Sequence, residues 1–382
     1  MLARINMELL TKKVGILLHA NPKLFTNGIT QNAYFIYSCF KELGIACEFL
    51  CQESISEPFP LVNLPITFLS KNNKDFNPKE YCAVISVSRR FTDDTINILS
   101  SNNVQMVSFI CGNQYPEDQH GFIFGKTTST TLSERETGNE LWIIPSFLYS
   151  KGYFEIMTGK PVYIMPHLWS SSLVKERLNI EYKKTEDTII YNKLKHPKNK
   201  INILITEPNL SIVKTAWLPI VACEHLHNKY PDLIDTVYVF NFPENDLAYN
   251  MVSKLKINSK VRKFKRLPLP EILLHFNSLE SIPIFVTHHY LTSLNYLYYE
   301  VLQYGYPLIH NSVDLDNCGY YYPGDDPKAC SDAIYNAYLK HNNIYDEYCT
   351  QAKEYLYRID PLNPIVGKEC KKLITNLLIR NM

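Results

Sequence analysis

The chain has 382 residues, which favours two domains because a single hydrophobic core rarely grows that large. Apolar residues make up 46% of it and charged residues 20%, a balance typical of a globular protein and unlike a disordered one. The formal net charge of +1 provides no overall attraction to nucleic acid or to an anionic membrane.

Ten cysteines are scattered along the chain, mostly in apolar runs and without any Cys-x2-Cys pair. This pattern predicts reduced core thiols in a cytoplasmic protein, with neither disulfides nor zinc. No stretch approaches the roughly 20 apolar residues that a membrane span needs. We therefore expect a cytoplasmic protein that is at most peripheral to a membrane.

Strands and helices alternate through the first half of the chain. The apolar run 14–19 predicts a buried strand, and an apolar-periodic helix over 29–43 ends at Gly44. This alternation is typical of a doubly wound parallel sheet. Further strands are predicted at residues 45–50, 81–87, 104–110, 122–124 and 161–165.

A second series of the same kind follows the polar, lysine-rich stretch 183–200, which we interpret as a linker. Strands are predicted at residues 201–205, 236–240, 261–264, 283–287, 307–310 and 319–322. Helices are predicted at residues 270–276, 293–304 and 327–340, and two more within 345–380. The expected class is α/β, with Rossmann-like domains over 1–182 and 201–350 and C-terminal helices over 351–382.

Glu300 lies in the last turn of a predicted helix. Gly305 ends that helix, because glycine readily adopts the left-handed conformation that is favoured at this position. A carboxylate at a helix C-terminus is disfavoured by the dipole, so a purely solvated charge is the weaker interpretation. Its two oxygens can instead accept both hydroxyls of a diol. Asn311 and Ser312 follow the next strand, where phosphate can meet small polar groups, although an ordinary turn also explains them.

Polar residues also follow the first strand of the second half. Asn209 and Ser211 precede a helix whose N–H groups can face an anion, and Lys214 can neutralise a phosphate there. Ser211 as a plain N-cap is an alternative that is sufficient by itself. His19 and His289 end strands and are candidate bases at neutral pH, although lone histidines are more often structural.

The first half offers two polar segments next to strands. Gly28 permits close backbone approach, and Gln31 and Asn32 can donate hydrogen bonds from the first turn of the following helix, although capping alone explains them. His167 and Trp169 follow the strand at 161–165, where Trp169 could stack on a sugar or simply pack between domains.

Two signals are interpreted as incidental. Asp314 and Asp316 have the Asp-x-Asp spacing of some metal sites, but that spacing is common by chance, and we expect no metal. The run 254–266 holds seven basic residues in thirteen, which we interpret as a solvated face rather than a nucleic-acid site.

The chain resembles an uncharacterised family of predicted GT-B glycosyltransferases from bacteria and large DNA viruses. Its second half is also similar to retaining GT-B enzymes with a Glu-x7-Glu motif. Glu300 matches the second glutamate of that motif, whereas Thr292 stands where the first would be. The matching segments are residues 27–32, 207–209, 294–300, 302–312 and 319–323.

The resemblance implies two Rossmann-like domains facing a cleft, with a C-terminal helix that crosses back. It implies hexosyl or pentosyl transfer from a nucleotide diphosphate sugar, with UDP or GDP, to a glycan, a glycoprotein or another hydroxyl acceptor, without an obligatory metal or cofactor. The implied donor-binding residues are Asn209, Ser211, Lys214, Glu300, Asn311 and Ser312. The implied acceptor-binding residues are Asn27, Gly28, Gln31, Asn32, His167 and Trp169, with His19 and His289 as catalytic candidates.

Other functions fit the same fold. A nucleotide-sugar epimerase or phosphorylase is one alternative, and Thr292 leaves the sugar and the stereochemistry open. A non-catalytic binding module, or a transferase that reaches nucleic acid through residues 254–266, is another. Product analysis with and without an acceptor separates the enzymatic alternatives, and a retardation assay tests nucleic-acid binding.

Overall fold

The structure is a computed structural model that describes residues 11–20, 24, 28–53, 59, 61–125, 131, 135, 138–196, 198–293 and 295–380. The chain divides into two compact units. Unit 1 comprises Met1–Glu176 and Tyr357–Met382, and unit 2 comprises Arg177–Leu356. Each unit contains a parallel sheet whose strands are joined through helices, as the alternating pattern predicts.

The described part of unit 1 forms a seven-stranded sheet in the order β3-β2-β1-β4-β5-β6-β7. Every neighbouring pair is parallel. Apolar residues fill the central strands, as a sheet covered on both faces requires. The strands are β1 Lys13–Leu17, β2 Cys47–Cys51, β3 Ile66–Phe68, β4 Tyr81–Val87, β5 Gln105–Ile110, β6 Glu140–Ile143 and β7 Val162–Ile164.

Helices connect these strands, and one of them overturns an expectation. Residues 122–124, expected as a strand, are the end of α3, which Asn113 caps and Gly125 closes at a φ of 62°. Phe122 is 93% exposed, so this short apolar run does not enter the core. The helices up to residue 177 are α1 Gly28–Glu42, α2 Asp93–Ser100, α3 Gln114–Phe124, α4 Lys151–Thr158 and α5 Ser172–Arg177.

The last helix of the chain, α12 Pro364–Arg380, belongs to unit 1 and packs against α1. A Cβ added at Gly367 would lie 3.1 Å from the Leu43 side chain, which shows how closely the two helices approach. At its other end, the Arg380 guanidinium bonds the buried Glu140 carboxylate, with Nε–Oε2 at 2.9 Å. The expectation that a C-terminal helix returns to the first half of the chain is confirmed.

The described residues of unit 2 form a six-stranded sheet in the order β10-β9-β8-β11-β12-β13, again parallel throughout. Its strands are β8 Lys198–Ile205, β9 Ile234–Phe240, β10 Val261–Phe264, β11 Ser281–Val286, β12 Leu308–His310 and β13 Tyr320–Tyr321. The helices that follow are α6 Trp217–Lys229, α7 Asp246–Ser253, α8 Leu269–Phe276, α9 Tyr296–Gln303, α10 Pro327–Lys340 and α11 Tyr345–Arg358. The stretch 183–200, expected as a linker, lies within this unit.

Each sheet has one position where the strand order reverses direction. In unit 1 it lies between β1 and β4, and in unit 2 between β8 and β11. The loops leaving the carboxyl ends of such strands diverge, and ligands of open α/β sheets collect in the resulting crevice. We therefore expect functional side chains at the carboxyl edges of the two sheets, next to these positions. No helix in the described parts of the chain combines the length and hydropathy that crossing a membrane requires.

Candidate functional site

Two loops at the carboxyl edge of the unit 2 sheet bring a carboxylate and two histidines together. Glu207 follows β8 and is fully buried, whereas His288 and His289 follow β11. Glu207 Oε1 accepts a hydrogen bond from the His288 backbone N–H at 3.3 Å, and Oε2 lies 3.3 Å from His289 Nε2. The carboxylate thereby joins the two strands at the position where the sheet order reverses.

The His289 imidazole is enclosed on all sides. It stacks on the Tyr298 ring at 5.0 Å, and its Nε2 lies 3.3 Å from the Asn295 amide. Burial lowers the pKa of His289, the Glu207 carboxylate opposes this, and the Lys214 charge lowers it further. A side chain with no exposed surface reaches a substrate only through its neighbours, so a direct catalytic role for His289 stays a prediction.

His288 lies on the outer side of the same loop. Its Nδ1 is 3.0 Å from the Tyr322 hydroxyl, and its Nε2 is 3.3 Å from the largely exposed carboxylate of Asp325. Burial lowers the pKa of His288, and the charges of Asp325 and Glu207 oppose that shift. His288 therefore contacts buried Glu207 through its backbone N–H and an exposed acidic group through its ring.

The loop after β8 is shaped by Asn209, which adopts the left-handed conformation with a φ of 52°. Its amide donates to the carbonyls of Glu207 and Asn241, both at 3.0 Å, and accepts from the Ala216 N–H at 2.7 Å. With its amide engaged in this way, Asn209 holds the loop, and ligand contact by its side chain stays a prediction. The turn also includes Ser211, whose Oγ accepts from Val213 N–H at 3.3 Å.

Lys214 and the start of α6 bring positive charge to this edge. Lys214 forms an isolated antiparallel bridge with His289, which fixes it beside the histidine loop. Helix α6 begins at Trp217, and its N-cap residue Ala216 provides no side-chain hydrogen bond. Uncapped backbone N–H groups at a helix start favour an anion, as does a nearby lysine.

Asn311 and Ser312, after β12, stabilise the same loops from the other side. The Asn311 amide accepts from His289 N–H at 2.9 Å and donates to the carbonyls of His289 and Gly324 at 2.8 and 3.3 Å. Ser312 is fully buried, and its hydroxyl donates to the Ser293 carbonyl at 2.8 Å. Both residues lie at the predicted edge, and their direct contact with a ligand stays a prediction.

Glu300 lies on α9, and Gly305, with a φ of 72°, follows that helix as expected. The Glu300 residue is only 6% exposed. Burial raises its pKa to about 8, and the nearby positive charge of Arg177 opposes this. The carboxyl group therefore holds a proton up to about neutral pH, a property that the sequence pattern does not indicate.

At the carboxyl edge of the unit 1 sheet, His19 follows β1, Glu53 follows β2 and Arg89 follows β4. Arg89 Nη1 lies 2.8 Å from His19 Nδ1, and its Nη2 bonds Glu53 Oε1. Burial and the Arg89 charge lower the pKa of His19, and Glu53 opposes them. This cluster occupies the reversal position of the unit 1 sheet.

The residues at the start of α1 that are expected to bind an acceptor make hydrogen bonds to nearby backbone carbonyls. Helix α1 begins at Gly28, Gln31 Nε2 donates to the Leu24 carbonyl at 3.1 Å, and Asn32 Nδ2 donates to the Gly28 carbonyl at 2.8 Å. Both side chains are buried. Asn27 lies outside the described residues, and acceptor binding by this group stays a prediction.

His167 and Trp169 are also buried within unit 1. Burial lowers the pKa of His167 to about 3, so its imidazole is neutral at physiological pH. The Trp169 backbone N–H donates to the Ile359 carbonyl at 2.9 Å, which ties this segment to the returning C-terminal chain. Stacking of Trp169 on a sugar stays a prediction.

The two signals interpreted as incidental have local roles. Among the described residues no three His, Cys, Asp or Glu side chains converge as metal ligands, and Asp316 accepts a hydrogen bond from Asn317 at 2.7 Å. In the basic run, Lys260 Nζ donates to the carbonyls of Pro231 and Ile234 at 2.7 and 2.6 Å. Lys263 Nζ lies 3.8 Å from the Tyr249 ring centroid. These two basic side chains thus interact within their own unit.

Comparisons with known proteins identify the sequence family of this chain. A family profile described as Protein of unknown function (DUF2827) matches residues 14–374. The chain belongs to this family. A comparison with curated proteins found no match by sequence.

Solved structures share the fold at low sequence identity. One is an α-glucosyltransferase in complex with UDP and a 13-mer DNA containing an HMU base: 13% identity, TM-score 0.58, covering 97% of this chain and 100% of that one. Another is HepE (Alr3699) from Anabaena in complex with UDP-glucose, at 11% identity and TM-score 0.58, with 94% and 99% covered. A third is WaaG, a glycosyltransferase involved in lipopolysaccharide biosynthesis, at 13% identity and TM-score 0.52, with 94% and 98% covered. This DUF2827 chain has the GT-B fold.

Sequence reasoning missed the residues that hold the loops together at the carboxyl edges of the two sheets in this member of the DUF2827 family. Glu207 was noted only within a matching segment, and Arg89 and Glu53 were not considered. Each follows a buried strand within two residues of its end, and that position was an available signal. Because loops at a reversal position meet, polar residues immediately after β1, β4, β8 and β11 are the ones to weigh first.

Proposed function

We propose that the protein is a glycosyltransferase that moves a sugar from a nucleotide diphosphate sugar to a hydroxyl acceptor. The observation that carries this proposal is the convergence of Glu207, His289 and Lys214 at the reversal position of the unit 2 sheet. The GT-B fold supports it, and so do the glycosyltransferases of that fold solved with UDP or UDP-glucose.

We propose that the diphosphate binds at the start of α6. Lys214 would neutralise one phosphate, while the N–H groups of Trp217 and Leu218 would donate to phosphate oxygens. Ser211, in the turn before this helix, would add a hydroxyl. Asn209, Asn311 and Ser312 would act by holding the loops in this conformation, because their side chains bond the surrounding backbone.

Glu300 is proposed to bind the ribose hydroxyls. A carboxyl group whose pKa lies near 8 has an unfavourable charged form in the protein alone. Hydrogen bonds donated by a diol would favour the ionised form and lower that pKa. Nucleotide binding should therefore release a fraction of a proton near neutral pH, which calorimetry in buffers of different ionisation enthalpy would detect.

The proposed mechanism uses protein dipoles and one lysine in place of an obligatory cation. As the glycosidic bond to phosphate breaks, negative charge grows on the leaving nucleoside diphosphate. Lys214 and the α6 N-terminus would stabilise that charge more strongly than the ground state. Glu207 and His289 would keep the lysine loop in register through their buried contact.

Acceptor recognition is proposed for unit 1. Gly28, Gln31 and Asn32 shape the start of α1, and His167 with Trp169 follow β7, so all of them lie near the carboxyl edge of the sheet. A glycan hydroxyl is the proposed acceptor. The DNA in the complex of one structural relative belongs to that protein, and the internal contacts of Lys260 and Lys263 do not favour nucleic acid here.

A binding screen tests the donor site. Thermal unfolding is measured with UDP, UDP-glucose, GDP and GDP-mannose, with and without EDTA. We expect stabilisation by at least one nucleotide sugar, and a loss of roughly tenfold or more in affinity for Lys214→Met. Lys340→Met, which changes an exposed lysine at the end of α10, is the matched control. No stabilisation of the wild type by any nucleotide would refute the proposal.

Product analysis separates transfer from the alternatives. Mass spectrometry of reactions with and without mixed glycan acceptors should show acceptor-dependent release of the nucleoside diphosphate. A changed sugar without release would indicate an epimerase. Release of a sugar phosphate that requires added phosphate would indicate a phosphorylase.

A further inference from the structure

His19, Arg89 and Glu53 form a connected cluster at the reversal position of the unit 1 sheet. Arg89 Nη1 lies 2.8 Å from His19 Nδ1 and 3.4 Å from the Leu18 carbonyl, and Nη2 bonds Glu53 Oε1. The Arg89 side chain is only 17% exposed, whereas that of His19 is 62% exposed. Arg89 is therefore the buried centre of the cluster, and His19 is the group that a ligand would meet.

The chemistry of arginine determines where the His19 proton lies. A guanidinium has donors only and stays charged, so His19 Nδ1 must accept and cannot carry a proton. In the neutral ring the proton is then on Nε2. Burial and the positive charge of Arg89 lower the pKa of His19, while Glu53, whose Oε1 lies 4.0 Å from Nδ1, raises it. The neutral ring is thus the form present above about pH 6.5.

We propose that His19, Arg89 and Glu53 form a recognition site for a neutral hydroxyl ligand, in which Arg89 fixes His19 as the Nε2–H tautomer and His19 donates a hydrogen bond to the ligand oxygen. The identification of that ligand as a sugar hydroxyl rests on the proposed function. The hydrogen-bond geometry does not, because it follows from the contacts of the cluster itself.

The charge balance favours a hydroxyl over an anion. The Arg89 cation is paired with the Glu53 carboxylate, and His19 is neutral, so the cluster has no net charge to offer a phosphate. The exposed His19 ring offers an Nε2–H donor, which matches a neutral oxygen such as that of an alcohol.

This assignment excludes His19 as the proton acceptor while Arg89 is in place. The base nitrogen of the neutral ring is Nδ1, and the guanidinium occupies it. A hydrogen-bond donor and a general base differ in how much affinity or rate is lost when they are removed. Loss of a neutral hydrogen bond lowers affinity or rate roughly two- to tenfold, whereas loss of a general base lowers the rate by about 10² to 10⁴.

The tautomer is tested by NMR on intact protein labelled with ¹⁵N-histidine at pH 7.5. The His19 signals are assigned by their absence in His19→Gln. We expect the Nε2–H tautomer in the wild type and a shift toward Nδ1–H in Arg89→Met, whose folding is checked by circular dichroism. Arg90→Met, which changes the neighbouring arginine outside this contact, is the control. A wild-type ring that is charged, or protonated at Nδ1, would overturn the inference.

The ligand class is tested in the same spectra, without any need for turnover. Titration with glucose should move the His19 ring signals in the wild type and not in Arg89→Met, and inorganic phosphate should leave them in place. A saturable shift with phosphate alone would overturn the hydroxyl assignment. The absence of a shift with either compound would overturn the site.

A turnover assay then distinguishes the role of His19 as a hydrogen-bond donor from a role as a general base. In a nucleotide-release assay with UDP-glucose and mixed acceptors, His19→Ala should lose roughly three- to tenfold in kcat/KM, and His19→Gln, which keeps a donor, should recover most of it. Equal losses of a hundredfold or more would assign a base and refute this proposal. If the wild type turns over no nucleotide sugar, the proposed function fails, and the NMR results still decide the His19 assignment.

Discussion

Replacing Glu300 by glutamine should stabilise the protein, and the gain should grow as the pH rises. Burial raises the pKa of Glu300 to about 8, from 4.5 for the unperturbed group. Between these values the folded state keeps a proton that the unfolded state has lost, so stability falls as the pH increases. Each pH unit in this window costs about 1.4 kcal/mol. Glutamine has the same shape and no proton to lose, so Glu300→Gln removes this cost.

The size of the effect follows from the width of the window. From pH 4.5 to pH 8 the full cost is 3.5 pKa units, or about 5 kcal/mol at the upper bound. At pH 8 about half of the folded molecules still hold the proton, so the cost there is slightly below this bound. We expect a gain of about 4 kcal/mol at pH 8 and almost none at pH 4.5.

Urea unfolding of the wild type and Glu300→Gln at pH 5, 6.5 and 8 measures this difference. Glu354→Gln, an exposed carboxylate on α11, is the matched control and should leave the pH profile unchanged. If the difference between Glu300→Gln and the wild type is constant with pH, Glu300 is ionised in the folded protein. The burial argument would then be wrong.

Two further substitutions test an ion pair within unit 1 and a glycine conformation within unit 2. Arg380→Met leaves the buried Glu140 carboxylate without its cation and should cost unit 1 about 3 kcal/mol or more in urea unfolding. The double variant with Glu140→Gln should recover part of this loss, and a loss no smaller than that of Arg380→Met would contradict the ion-pair explanation. Gly305→Ala should cost more than about 2 kcal/mol, because φ is 72° and the new Cβ would lie 2.6 Å from the Tyr345 hydroxyl oxygen. Gly44→Ala, with φ of 69° but no atom within 4 Å, should cost only about 1 kcal/mol, and equal losses would refute the steric contribution.

The alternation of long apolar strands with periodic helices made the fold predictable. The helix at Pro327–Lys340 and the strand at Val261–Phe264 have the predicted bounds. Two short strands, Ile66–Phe68 and Glu140–Ile143, were missed because three or four residues carry little periodicity. The second of them also begins with a glutamate, whose partner Arg380 lies 240 positions away and cannot be inferred locally.

The position of the candidate site was also predictable, but its contacts were not. Residues after parallel strands lie at one edge, so the segments around Lys214 and His289 were expected there. Which side chains touch depends on strand order, and Glu207 meets His288 across 81 positions, just as Arg89 meets His19 across 70. The burial of Glu300 depends on packing around α9, for which one helical pattern holds no information.

The position of α12 in unit 1 has a consequence for biosynthesis. A ribosome makes residues 1–176 before unit 2, yet the helix that covers α1 and neutralises Glu140 emerges only after unit 2. At about 5 to 20 residues per second, the first unit waits roughly 10 to 40 s for this helix, while the second unit can fold in between. Nascent unit 1 should therefore be the segment of this chain that chaperones protect and that premature termination harms.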